Sequence, residues 1–228
     1  MKNVKDVAII VQARLSSQRC HMKMVKPFAD TTLMDLCLEK LCKSKIPNDK
    51  IWISIYEPKL KAICNKYPVN IFSRSKKSAL SEGTPMTEMY EWWDKIDEKY
   101  AVLVNACAPF LSKEIIEQFY FDYCNSDKDG MFGVIEKRNY FWDKNNVFLT
   151  PLKESVMNTK TAEIIKEAAH CLYAGKLSLI GKGLWMGDFN KHEDIKLFSV
   201  PEKECFDIDY EWQFNMAETI YKNVTNFK

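Results

Sequence analysis

The chain has 228 residues, 46% apolar and 28% charged, with 33 Lys and Arg against 31 Asp and Glu. That length suits one large domain with a sizeable core, the composition excludes disorder, and the balanced charge argues against a dedicated nucleic-acid binder. No run approaches 18 apolar residues and the start, Met1 to Asp6, has no apolar signal core, so a soluble, cytoplasmic protein without membrane contact is expected.

Short apolar runs at 7–11, 51–55, 69–72, 101–104 and 131–135 read as strands. Between them lie stretches with helical spacing at 32–43, 58–66, 85–97 and 113–124, several opening on Ser, Thr or Pro. Strand alternates with helix, and a run such as Val7-Ala8-Ile9-Ile10-Val11 is apolar on both faces, the pattern of a mostly parallel α/β sheet. In such a sheet a ligand binds at the carboxyl ends of the strands. From Asn139 the rhythm changes. Tyr140-Phe141-Trp142, a polar turn and Val147-Phe148-Leu149 read as a β-hairpin that either packs on a partner subunit or covers its own sheet. A helix near 161–169, strands near 171–173 and 195–200, and a closing helix over 211–221 complete the expected elements.

Eight cysteines are scattered without a CxxC pair or a histidine at zinc spacing, and read as reduced, packed thiols. Seven glycines leave no GxGxxG or GxxxxGK[ST] motif, which excludes the usual dinucleotide and P-loop sites. The three histidines, His21, His170 and His192, pair with no Ser or Cys nucleophile, so a hydrolase triad is not indicated.

Two segments stand out chemically. Residues 1–26 carry Lys2, Lys5, Arg14, Arg19, Lys23 and Lys26 against the single acid Asp6. A loop after the first strand with Arg14, Ser17, Arg19 and Lys23 offers charge-assisted donors to a triphosphate, and is equally compatible with a solvated basic surface. In Phe206-Asp207-Ile208-Asp209, strand alternation would set both carboxylates on one face, where two like charges call for a cation such as Mg²⁺. Asp209 could instead cap the helix that follows. Arg74 and Asn105 each end a strand and could read a base or a sugar, or simply cap their own turns.

In order, these pieces resemble the cytidylyltransferases that activate sugar acids, the family of CMP-sialic acid and CMP-Kdo synthetases, over nearly the whole chain. The motif Ala13-Arg14-Leu15-Ser16-Ser17-Gln18-Arg19 with Lys23, the turn Ala108-Pro109-Phe110, and Asp207-Ile208-Asp209-Tyr210 before Phe214 and Ala217-Glu218 carry the likeness. The resemblance implies a three-layer, Rossmann-like nucleotidyltransferase fold over 1–228, with 139–175 as a dimerising or substrate-covering excursion. It implies CTP and a sugar acid as substrates, pyrophosphate as product and Mg²⁺ as cofactor, while the aromatic hairpin over 140–148 makes a homodimer the expected assembly. By position, Ala13, Arg14, Ser17, Arg19, Lys23 and Arg74 would bind nucleotide. Asn105 and Lys160 would meet the sugar, and Asp207 with Asp209 would hold the metal. Arg14, Lys23, Asp207 and Asp209 would form the catalytic set. The chain departs from the pattern at Leu15-Ser16 (usually Gly-Gly), at Met24 (often Asn), at Asn105 (commonly Gln), and across 158–161 and 170–173, which leaves the acceptor open. A glycosyltransferase using Asp-x-Asp, a transferase with another acceptor, and a non-catalytic nucleotide binder are the alternatives.

Overall fold

In the computed structural model, which describes residues 1–80, 84–150 and 158–223, seven strands form one sheet and two more a small ribbon. In chain order the elements are β1 (Val7–Gln12), the ribbon β2 (Pro27–Phe28) and β3 (Thr31–Thr32), α1 (Leu33–Cys42), β4 (Ile51–Ile55), α2 (Pro58–Cys64), β5 (Asn70–Ser73) and α3 (Met86–Met89). There follow β6 (Tyr100–Val104), α4 (Lys113–Asn125), β7 (Gly130–Lys137), β8 (Ile165–Lys176), β9 (Ile195–Ser199) and α5 (Glu211–Asn223). The sheet order is β5-β4-β1-β6-β8-β7-β9, and only β8 runs against its neighbours. Among the described residues no helix is long and apolar enough to cross a membrane.

Strand β1 shows why the sheet is the middle of three layers. Val7, Ile9 and Val11 enter one core with Leu38 of α1, Leu60 of α2, Phe119 of α4 and Phe214 of α5. Ala8 and Ile10 point the other way, into a second core built on Trp92, Ile180 and Trp185. A strand apolar at every position is stable only when both of its faces are covered. This is the mostly parallel α/β architecture expected from the alternation of strands and helices.

Three expectations need correction. The helix expected over 85–97 ends at Met89, because Tyr90 and Trp92 turn inward to stack on Trp185 at 5.4 and 5.9 Å. The helix expected over 161–169 is instead the start of β8, a 12-residue strand between β6 and β7. Pairing along β7 explains the switch: the register sets Lys166 opposite Glu136 and Glu167 opposite Ile135, and Lys137 reaches Glu167 at 3.7 Å. Of the expected excursion over 139–175, residues 165–175 belong to the sheet and 151–157 lie outside the described residues. Within it Trp142 pairs antiparallel with Phe148 around a turn in which Asn146 has φ +65°, so the hairpin is present. Finally, Asp207 and Asp209 lie in irregular chain, not in a strand.

Candidate active site

Because β1, β4, β5 and β6 are parallel, their carboxyl ends share one edge, and the basic loop after β1 crosses it. Its first residues are held by the ends of two neighbouring strands. Ala13 N–H donates to Ser54 O at 3.2 Å, Arg74 Nη2 donates to Ala13 O at 2.8 Å, and Leu15 N–H donates to Glu57 Oε1 at 2.8 Å. Below them Gln12 accepts from Trp92 Nε1 at 2.9 Å and donates to Met89 O at 3.2 Å.

From the other end of the chain, Ile208 N–H donates to Cys107 O at 3.0 Å, seating Asp207 and Asp209 just past β6. Helix α5 then locks onto the basic loop. Phe28 packs between Phe214 and Tyr221 at 5.4 and 5.3 Å, Ala29 N–H donates to Glu218 Oε1 at 2.8 Å, and Lys26 pairs with Glu211. The two clusters meet: Asp209 pairs with Arg19 at 2.9 Å and with Lys23 at 3.6 Å, while Lys23 Nζ also donates to Ile208 O. Around them lies a cleft of about 440 Å³ whose lining includes Arg14, Ser17, Arg19, Lys23, Cys107 and Asp209.

The family model described as cytidylyltransferase matches residues 8–174, most of the chain. The chain belongs to the cytidylyltransferase family. It is thus a CTP-dependent nucleotidyltransferase. No curated protein sequence matches it significantly. Among solved structures, it is similar to CMP:2-keto-3-deoxy-manno-octonic acid synthetase complexed with CTP (10% identity, TM-score 0.67, covering 95% of this chain and 98% of that one). It is similar to 4-diphosphocytidyl-2C-methyl-D-erythritol synthase from Anaerococcus prevotii DSM 20548 (14%, 0.67, covering 97% and 100%). A cytidylyltransferase from Leptospira borgpetersenii serovar Hardjo-bovis (strain JB197) is a third (16%, 0.62, covering 98% and 90%). At these identities the likeness establishes the fold.

In this cytidylyltransferase the acid pair lies beyond the matched residues and is read from its geometry. Burial raises the carboxyl of Asp207 and the charge of Asp209 raises it further, against smaller pulls from Lys23, Asn105 and His170. Its Oδ1 is buried with no hydrogen-bond partner. Burial works against the Lys23 ammonium, yet Cys107, Asp207 and Asp209 hold it above the ordinary lysine range. A buried oxygen without a donor beside a second carboxylate fits a hard divalent cation such as Mg²⁺. Among the described residues no third His, Cys, Asp or Glu joins the pair, which suits an ion that keeps waters and phosphate oxygens as its other ligands. Asp209 does not cap α5; the Gln213 side chain does so, accepting from Asp209 N–H at 2.7 Å and Tyr210 N–H at 2.8 Å.

The remaining sequence candidates separate. Ala13 and Ser17 line the cleft. Arg74 does not: it is 4% exposed behind the loop, bonded to Ala13 O and Ser78 O, and burial lowers it to about 10. It shapes the loop from below. Asn105 adjoins Asp207, with its amide on His170 O at 3.0 Å and its carbonyl oxygen on Cys107 N–H at 2.9 Å. Lys160 is exposed in the turn at 158–161, and among the described residues no hydrogen bond or ion pair joins it to the cleft. Glu57 was not among the sequence candidates, and Gln12 and Cys107 lay inside candidate segments, 12–23 and 104–110, without a role of their own. Each sits within three residues of a strand's carboxyl end, which was the available signal.

Proposed function

We propose that this cytidylyltransferase transfers CMP from CTP to a hydroxyl of a sugar acid, with Mg²⁺ held by Asp207 and Asp209. The convergence of Arg19, Lys23 and Asp209, drawn from opposite ends of the chain onto one cleft, carries this reading. The acceptor hydroxyl gives up its proton to solvent as its oxygen bonds to the α-phosphorus, the bond from that phosphorus to the bridging oxygen breaks, and pyrophosphate leaves with that electron pair. Such transfers ask the protein mainly for alignment and charge neutralisation. Arg14, Arg19 and Lys23 supply the positive charge for the triphosphate and the departing pyrophosphate. When bound, Mg²⁺ would polarise the α-phosphate and acidify the attacking hydroxyl. Without nucleotide, Asp209 keeps Arg19 and Lys23 in place, and nucleotide binding exchanges those ion pairs for phosphate contacts.

The sugar acid is supported by the motifs around Ala13 and Asp207 and by the likeness to a CMP:2-keto-3-deoxy-manno-octonic acid synthetase. A neighbour named for a methyl-D-erythritol product makes a different acceptor the second reading. Family membership displaces the glycosyltransferase alternative. We also assign the aromatic hairpin to a homodimer contact. Pyrophosphate release measured with four nucleoside triphosphates and a panel of sugar acids in Mg²⁺ tests the activity. It is expected with CTP and at least one sugar acid only. Release without dependence on any sugar acid, or equal release from the other triphosphates, would overturn the proposal.

A further inference from the structure

Two cysteines far apart in the sequence, Cys171 and Cys205, meet in the fold. Gly133 of β7 carries no side chain, and a Cβ there would lie 3.1 Å from Leu172 O and 3.4 Å from Val200 Cγ2. Val200, just past β9, therefore closes over that bare backbone against Leu172 of β8, held by its N–H on Val134 O at 2.8 Å. The chain then turns through a short 3-10 helix, Glu202–Glu204, and the Cys205 thiol reaches back to Pro201 O at 3.4 Å. That turn sets Cys205 against Cys171, the neighbour of Leu172, and the two thiols share a hydrogen bond.

Their surroundings differ. Cys171 is wholly buried whereas Cys205 is half-buried, so a solute reaches Cys205 first. An accessible thiol with a second thiol poised beside it is the arrangement of an oxidation-sensitive cysteine and its resolving partner. The residues flanking Cys205 are fastened to the turn after β6. Ser112 donates to Glu204 Oε2 from its hydroxyl at 2.6 Å and from its N–H at 2.9 Å, and the rings of Phe206 and Phe110 lie 5.9 Å apart. Asp207 follows directly.

We propose that Cys171 and Cys205 are a modification site, closing into a reversible disulfide under peroxide, and that the bond slows the enzyme. Hydrogen peroxide converts the Cys205 thiol to a sulfenic acid; the peroxide O–O bond breaks and one oxygen leaves as water. The Cys171 sulfur attacks the sulfenic sulfur, the S–O bond breaks, and the hydroxyl departs with the Cys171 proton as a second water. The thiol pair loses two electrons and the peroxide gains them, and a dithiol restores both thiols by exchange. Closing from hydrogen-bond contact to a covalent bond draws Cys205 toward β8, against the hold of Ser112 and Phe110, and shifts the segment that seats Asp207. Small displacements at a reacting centre are costly in rate.

Non-reducing peptide mapping and pyrophosphate release, on enzyme treated with hydrogen peroxide and then with dithiothreitol, test it. Wild type should yield a peptide cross-linked between Cys171 and Cys205, lighter than its two parts by two hydrogens. Its turnover, read with CTP and the sugar acid it uses best, should fall about tenfold or more, and dithiothreitol should reverse both changes. Cys205→Ser should start at wild-type turnover, form no cross-link and keep its turnover in peroxide. Cys171→Ala should also form none and stop at the sulfenic acid, one oxygen heavier at Cys205. No cross-linked peptide from wild type, a cross-link with turnover unchanged, or peroxide inactivation of Cys205→Ser equal to that of wild type would overturn the proposal. A wild type inactive with every sugar acid would overturn the reaction proposed above, and the peptide would still decide the bond.

Discussion

Asp207 holds one carboxylate oxygen in the interior without a protein donor, next to the like charge of Asp209. Folding gains nothing from that pairing, since both burial and the neighbour disfavour the charged form. Asp207→Asn removes the repulsion and should melt no lower than wild type, while turnover falls by about a hundredfold or more, the scale for losing one electrostatic stabiliser. Asp209→Asn should lose turnover similarly and also release Arg19 and Lys23. Near-normal rates in both variants would exclude them as the metal pair. A second residue ties the site to pH. Lys40 donates to Pro109 O at 2.5 Å and Leu111 O at 2.8 Å, fixing the turn after β6, and burial lowers it from 10.5 to about 8. Between those two values the unfolded chain carries a proton the folded chain lacks, so this group's contribution to stability rises with pH across that window. Denaturant unfolding of wild type and Lys40→Met should show the wild-type-minus-variant stability climbing from pH 8 to 10.5. A difference that stays flat would contradict the buried charge.

At the scale of elements, the active edge depends on α5 gripping the basic loop, and Gln213 is the hinge of that grip. Its side chain accepts the first two amides of the Asp209–Tyr210 entry, the service a helix cap provides. Gln213→Ala should cost about 1 kcal/mol in chemical denaturation. It should also lower turnover, because Asp209 loses its backbone anchor; full activity with lowered stability would show that the anchor does not matter to the site. The same elements show what was legible beforehand. Strand β1 was readable because five buried apolar residues in a row have few other homes, whereas the meeting of cations and acids was expected only from the family resemblance, since the residue types alone suited a solvated loop and a helix cap as well. The start of β8 was not readable. Its Ile, Lys, Glu and Ala suit a helix locally, and pairing along β7 overrides that preference. Nor does the residue order show that Arg74 is buried under Ala13, or that Glu57 and Gln12 shape the loop, since each depends on a neighbouring element.

At the scale of the molecule, the sheet places the paired cations and acids at one edge, and the excursion between β7 and β8 leaves from that edge too. Its hairpin exposes Trp142 at 54% and Phe148 at 37%, stacked on each other at 5.2 Å with Tyr140 beside them at 6.4 and 6.0 Å. Exposed aromatic clusters of this kind mark interaction surfaces. Analytical ultracentrifugation should give twice the 26.7 kDa chain mass for wild type and one chain mass for a Trp142→Asp, Phe148→Asp double variant. A monomeric wild type, or a variant that stays dimeric, would remove the hairpin from the interface. If a single nucleotide joins the two ends of the chain, a crystal structure of the enzyme soaked with CTP and Mg²⁺ will show it. The triphosphate should lie within hydrogen-bond reach of Arg19 and Lys23, with its α-phosphate facing Asp207 and Asp209. A triphosphate bound away from either cluster would contradict it.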